Sequence, residues 1–93
     1  MPLVTAPLPD LVLYARAGCH LCDDARDLIA AVLAERRGQD LPTPALREVD
    51  ITSDPAAERA YFDRVPVVEL GGRRLELVVS AGKLRRLVAD ALG

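Results

Sequence analysis

Four consecutive residues, Cys19-His20-Leu21-Cys22, hold both of the cysteines and the only histidine of this chain. Two thiols three positions apart can do redox chemistry, ligate a metal, or sit inert in a core. Metal ligation is poorly supplied, because a zinc site needs about four ligands, usually from two clusters. Cys19, Cys22, His20 and a carboxylate would have to converge from one helical turn. A covalent haem site needs a histidine directly after the second cysteine, where Asp23 stands. Redox chemistry needs one nucleophilic sulfur and a second within reach of it. The sequence around the motif predicts that arrangement. Leu11-Val12-Leu13-Tyr14-Ala15 is a short apolar run closed by Gly18, and a helix is expected to begin near Cys19. Unsatisfied N–H groups and the helix dipole at that end favour an anion, so a thiolate at Cys19 can form well below the ordinary value of about 8.5. Cys22 lies one turn on, near the same face and less exposed. Cys19 would attack a substrate disulfide and Cys22 would resolve the mixed disulfide. Two partly buried, inert thiols remain the plain alternative at this point.

The rest of the chain must position that junction. Ninety-three residues make one domain. A hydrophobic fraction of 51% predicts a folded chain. Aromatics are 3%, Tyr14, Tyr61 and Phe62, so the core is expected to be aliphatic and base-stacking platforms are not. Twelve basic against fourteen acidic residues give a net charge of -2, which argues against a polyanion-binding surface. The first ten residues contain three prolines and no basic residue, unlike a secretory signal. The longest wholly apolar run, Leu28 to Ala34, is far short of a membrane span. A cytoplasmic protein with no nucleic-acid or membrane partner is therefore expected, and in a reducing compartment a close cysteine pair points to catalysis or metal binding before structure.

Leu21, Ala25, Leu28, Ile29, Val32 and Leu33 follow the spacing of one helical face. Asp23, Asp24 and Asp27 crowd its first turns and Arg36 and Arg37 its last, with Gly38 as the stop. A second strand is expected over Ala45 to Ile51. Asp54-Pro55 reads as an N-cap with proline at the first helical position, opening a short helix through Tyr61. Pro66 to Leu70 and Arg73 to Val78, joined by Gly71-Gly72, predict a β-hairpin. Ser80 caps a last helix whose apolar stripe is Leu84, Leu87, Val88 and Ala91, with Val79 in the staple position before the cap. The order is β-α-β-α-β-β-α, an α/β domain over 11–92 after an irregular arm over 1–10. A parallel pair from the first β-α-β unit plus the hairpin makes a mixed four-stranded sheet with helices on both faces.

Taken with Arg64-Val65-Pro66 before the hairpin, the chain resembles the glutaredoxin-like branch of the thioredoxin superfamily. Leu13 to Asp23, Val49-Asp50-Ile51 with Asp54-Pro55, and Tyr61 to Val67 carry the resemblance, which spans Leu11 to Leu92. It is most similar to small bacterial glutaredoxin-like proteins with a CHLC motif and a Tyr-x-x-Arg-Val-Pro segment. The resemblance implies a cis Val65–Pro66 bond lying against the cysteines, a conformation found in only about 5% of X–Pro bonds generally. It implies that Val65 offers backbone hydrogen bonds to a substrate chain and that Pro66 helps keep metal off the thiols. Cys19 and Cys22 are then the catalytic pair, and Arg16, His20, Val65 and Pro66 the substrate-binding residues.

The departures from the family pattern carry expectations too. His20-Leu21 replaces proline and an aromatic between the cysteines. His20 either supports the Cys19 thiolate or is a solvated first-turn residue, while Asp23 and Asp24 oppose a thiolate. Arg16 stands where many glutaredoxins have lysine and can steer an anionic peptide or support the thiolate. Arg64 reads as a surface arginine, and Tyr14 and Tyr61 as the edge of the core. Typical glutaredoxins grip glutathione with Gly-Gly and an acidic residue after the hairpin, where this chain has Val78-Val79-Ser80-Ala81-Gly82-Lys83. The expectation is thus a monomeric thiol–disulfide oxidoreductase that needs no cofactor or metal. It would act on a protein or small-molecule disulfide with a reductant system, and glutathione is expected to serve only weakly compared with a thioredoxin-type reductant. The rival is a non-catalytic module of the same fold, a binding domain or a thiol-based metal or Fe–S carrier.

Overall fold

A computed structural model describes residues 8–77 and 79–92. The first seven residues of the expected arm, together with Val78 and Gly93, lie outside the described residues. The elements are β1 (Leu11–Ala15), α1 (His20–Gly38), β2 (Leu46–Asp50), α2 (Pro55–Tyr61), β3 (Val67–Leu70), β4 (Arg73–Glu76) and α3 (Ala81–Leu92). The sheet order is β2-β1-β3-β4. β1 and β2 pair in parallel, with Leu13 beside Glu48, and the β3–β4 hairpin joins antiparallel through β1 and β3, with Leu13 beside Val68. This is the mixed four-stranded α/β architecture that the order of elements predicts.

Side chains alternate across β1, and the alternation builds two layers. Leu11, Leu13 and Ala15 are buried in one cluster with Ile29, Val32 and Leu33 of α1 and Leu84, Leu87 and Val88 of α3. Tyr14 stands on the other face, beside Val67, and its ring meets that of Tyr61 from α2 at 4.8 Å with a 47° tilt. Helices therefore cover both faces. The Tyr61 hydroxyl accepts a 2.9 Å hydrogen bond from Arg74 of β4, which ties α2 to the hairpin.

Local chemistry sets the boundaries. The Asp54 carboxylate accepts from the N–H groups of Ala56 and Ala57 at 3.1 and 3.3 Å, the N-cap that Asp54-Pro55 predicts. The Ser80 hydroxyl accepts from Lys83 N–H at 3.2 Å and caps α3. Gly71 and Gly72, at φ 56° and 83°, supply the two positive φ values that a two-residue hairpin turn requires.

Several sequence expectations shift. The second strand stops at Asp50 because its carboxylate turns to accept from Thr52 N–H at 2.9 Å, capping a 3-10 turn over Ile51–Ser53. These hydrogen bonds, from the Thr52 hydroxyl first and its N–H second, hold the Asp50 carboxyl below its ordinary value. The first hairpin strand starts at Val67, after Pro66, which has no N–H to donate. The second ends at Glu76, where Leu77 adopts φ 63°. On α1 the buried face is Cys22, Ala25, Ile29, Val32, Leu33 and Arg36, so Leu21 turns outward and is 55% exposed. Arg36 does not project to solvent beside Arg37. Its Nε–H donates to the Pro42 carbonyl at 2.8 Å, pinning the loop that follows the helix.

α1 ends in a Schellman motif whose left-handed residue lies two positions beyond Gly38, the expected stop. Leu41 N–H donates to Arg36 C=O at 3.0 Å and Asp40 N–H to Arg37 C=O at 3.1 Å. The left-handed position is Asp40, at φ 55°, a conformation that costs an L residue about 1–2 kcal/mol. It also sets a carboxylate at the negative end of the helix dipole. Asp40→Gly is expected to stabilise the domain by about 1 kcal/mol, raising Tm by ~4–8 °C in a thermal melt.

Candidate active site

The cysteine motif sits where β1 hands the chain to α1. Gly18, at φ 74°, turns the backbone, and Cys19 (φ -101°, ψ 107°) is the N-cap of the helix. Its Sγ accepts a hydrogen bond from Cys22 N–H at 3.1 Å, and its carbonyl accepts from Asp23 N–H at 3.1 Å. Cys19 thus takes the cap role that a serine or aspartate side chain usually fills. The two sulfurs lie within disulfide-bonding distance, with the Cα atoms 5.2 Å apart. Their environments differ sharply. Cys19 is half-buried, whereas Cys22 is 0% exposed and packs within the core. A thiol arriving from solvent meets Cys19.

The segment Val65–Pro66 closes over the same junction. The register that sets Tyr14 beside Val67 brings Pro66 next to the end of β1, from which the cysteine loop departs. The Val65–Pro66 peptide is cis, as the resemblance implies. Both residues are buried, Val65 in the same cluster as Cys22, against which Cys19 also packs. Among the described residues, neither the N–H nor the C=O of Val65 takes part in a hydrogen bond. The Pro66 carbonyl, by contrast, accepts from Leu77 N–H at 2.9 Å, and Leu77 N–H also reaches the Arg64 carbonyl at 3.2 Å.

Charged groups surround the pair without touching the sulfurs. Arg16 is exposed, and its Nη1–H donates to the Phe62 carbonyl at 2.9 Å. That bond ties the cysteine loop to the chain leading into Val65–Pro66. His20 is the first residue of α1, exposed, and its ring makes no hydrogen bond or ion pair among the described residues. A cleft of about 280 Å³ opens between Arg16 and the cluster Asp23, Arg26 and Glu48. Arg26 donates through Nε to Glu48 at 2.8 Å and through Nη1 to Asp23 at 2.8 Å, and these two bonds, Glu48 first, hold its guanidinium pKa above the ordinary value. Arg64 lies 3.8 Å from both Asp63 and Glu76, a loose surface cluster.

Two residues near the site escape sequence reasoning. Arg26 looks like a solvated helix residue until the β1–β2 register places Glu48 beside the helix start. Leu77 gives no signal at all, because a left-handed position is ordinarily marked by glycine. Among the described residues no three His, Cys, Asp or Glu side chains are grouped as a metal site would need, and no helix is long and apolar enough to cross a membrane.

This geometry has counterparts. The family model described as Glutaredoxin-like domain (DUF836) matches residues 10–90. The X-ray structure of a structural-genomics target protein from X. campestris is 38% identical with a TM-score of 0.70, covering 87% of this chain and 97% of that one. The solution structure of that target gives 37% identity and a TM-score of 0.69 over 88% and 95% of the two chains. A protein from Nitrosomonas europaea, solved by NMR, is 25% identical over 100% of both chains with a TM-score of 0.65. No curated protein matches.

Proposed function

The chain belongs to the glutaredoxin-like domain family, and from that premise we propose that it is a dithiol–disulfide oxidoreductase with Cys19 as attacking and Cys22 as resolving sulfur. The observation that carries this reading is the unequal pair at one helix end. Cys19 is reachable at the N-cap, and Cys22 is buried directly behind it at bonding distance. That asymmetry suits a two-step exchange, in which the reachable sulfur meets the substrate and the buried one resolves the mixed disulfide.

In the reducing direction the Cys19 thiolate attacks one sulfur of a substrate disulfide. A Cys19–substrate disulfide forms, and the other substrate sulfur leaves as a thiolate that takes a proton from water. Cys22 then loses its proton and attacks Cys19 Sγ, closing the Cys19–Cys22 disulfide and releasing the second substrate thiol. The substrate gains two electrons and the dithiol loses two. A second dithiol reverses these steps on the protein and becomes a disulfide itself. The free Val65 peptide supports a role in pairing with an extended substrate chain, and buried Pro66 holds that peptide beside the cysteines. Arg16 holds the loops on either side together and presents its remaining donors to an anionic group, while His20, exposed and next to Cys19 in the chain, is available to the incoming substrate.

Glutathione is a poor reductant in this reading. The junction after the hairpin has neither a Gly-Gly pair nor an acidic residue behind it, and the acidic side chains of α1 oppose an anionic tripeptide. A reducing compartment, the cytoplasm, and a dithiol protein as electron donor suit a pair built this way. The reading is tested by exchange with dithiothreitol. Oxidised protein should be reduced at least about tenfold faster than a disulfide in an unstructured peptide. Equal rates would overturn it. Steady-state turnover should be several-fold lower with glutathione and glutathione reductase than with a thioredoxin-type reductant, and equal turnover would reject that preference.

A further inference from the structure

Leu21 does not join the core, and neither does Leu77; they are 55% and 45% exposed. They face one another across a groove of about 420 Å³, whose other walls are Leu28, Val79 and the carboxylates of Asp24 and Asp27. Leu21, Asp24 and Leu28 recur at i, i+3 and i+7 of α1, so one stripe of the helix forms one wall. Residues 77 and 79 form the other. Leu77 is held there at φ 63°, a backbone state unfavourable for a bulky residue, by its bonds to the carbonyls of Pro66 and Arg64. Both walls are thus rooted in the redox site, one in the residue between the cysteines and the other in the carbonyl of the cis proline. Leu21 stands between the two cysteines in the chain and Leu77 is bonded to the Pro66 carbonyl, so the groove begins next to the cysteine pair.

Its chemistry is mixed in a particular way. The floor is aliphatic, while Asp24 and Asp27 form no ion pair or hydrogen bond among the described residues. Arg26, on the same helix, is committed to Asp23 and Glu48. We infer that this groove selects the polypeptide substrate, seating a large aliphatic side chain beside the reactive cysteine and a Lys or Arg against Asp24 and Asp27. The inference rests on the exchange reading above and adds the substrate class to it. An anionic tripeptide such as glutathione satisfies neither condition.

The test uses reduced Cys22→Ser protein, in which Cys19 is the sole thiol. Four short peptides each carry one cysteine as a 2-thiopyridyl mixed disulfide, flanked by Leu-Lys, Leu-Glu, Ser-Lys or Ser-Glu. Attack of the Cys19 thiolate on the peptide sulfur forms the protein–peptide disulfide and releases pyridine-2-thione, whose absorbance times the reaction. The Leu-Lys peptide should react about tenfold faster than Leu-Glu, a difference that shrinks in 1 M salt. It should also react about tenfold faster than Ser-Lys. Adding Asp24→Asn and Asp27→Asn should bring the Lys/Glu ratio to about twofold or less. Leu77→Ala should lower the Leu/Ser ratio to about threefold. Each result is a ratio within one variant, so any effect on Cys19's own reactivity cancels. Ratios near one in the Cys22→Ser protein, or a Lys/Glu ratio that survives loss of both carboxylates, would overturn the inference. Neutral 2,2′-dithiodipyridine separates the two levels. If it reacts at Cys19 while the peptides show no preference, the groove alone is rejected. If it too fails to react, the exchange reading falls and the groove's role with it.

Discussion

Cys19→Ser protein is expected to lose dithiol–disulfide exchange by about 10³-fold or more, the scale on which enzymes lose activity with their nucleophile. Cys22→Ser protein should keep the first half of the reaction and lose the second. The asymmetry follows from burial. Cys19 caps the helix within reach of solvent, whereas Cys22 is enclosed by the core and meets a substrate sulfur only through Cys19. In Cys19→Ser protein the remaining thiol is thus both alone and shielded. Stopped-flow measurement of reaction with a neutral aromatic disulfide distinguishes the two variants. Fast reaction of Cys19→Ser protein would place the nucleophile at the wrong cysteine. Serine at position 19 preserves the cap, since its hydroxyl can accept from residue 22 as the sulfur does, so lost activity would not reflect a frayed helix.

The second large effect is on stability. Leu13→Ala is expected to destabilise the domain by about 3 kcal/mol and lower Tm by ~12–24 °C. Leu13 is fully buried in the central strand β1, beside Glu48 of β2 and Val68 of β3. Truncation opens a cavity against α1, where Ile29 and Val32 share the same cluster. Because β1 carries the cysteine loop and sets the register of Pro66, activity should fall with the folded fraction and recover at lower temperature. Denaturant unfolding of the variant measures the loss; a change under 1 kcal/mol would show that β1 is not the central support described here.

What was legible in the sequence follows a physical divide. Features encoded within a few residues were read directly: Asp54-Pro55 as a cap, Gly71-Gly72 as a hairpin turn, Ser80 as a cap, and the cysteine pair at a helix start. So was the sheet, because the apolar runs and their connections leave few topologies. The conformation of Val65–Pro66 was legible only through family resemblance, since nothing in those residues alone favours cis. Features set by distant partners were not legible. Leu21 fits an apolar stripe by type, but Cys22 and Ala25 claim the core side of the helix and rotate it outward. Arg36 has the composition of a solvated last turn and is instead drawn in by the Pro42 carbonyl. Arg26 needs Glu48 from another strand. Leu77 adopts its left-handed state because two carbonyls, of Arg64 and Pro66, hold its N–H. The groove made by Leu21 and Leu77 is accordingly invisible until both walls are in place.

The central claim is that Cys19 is the sulfur that joins a substrate. Reduced Cys22→Ser protein incubated with one equivalent of hydroxyethyl disulfide, then digested and analysed by mass spectrometry, tests it most directly. A single adduct on Cys19, formed faster than on an unstructured cysteine peptide at the same pH, is the expected result. No adduct, or one formed no faster than on the free peptide, would contradict it.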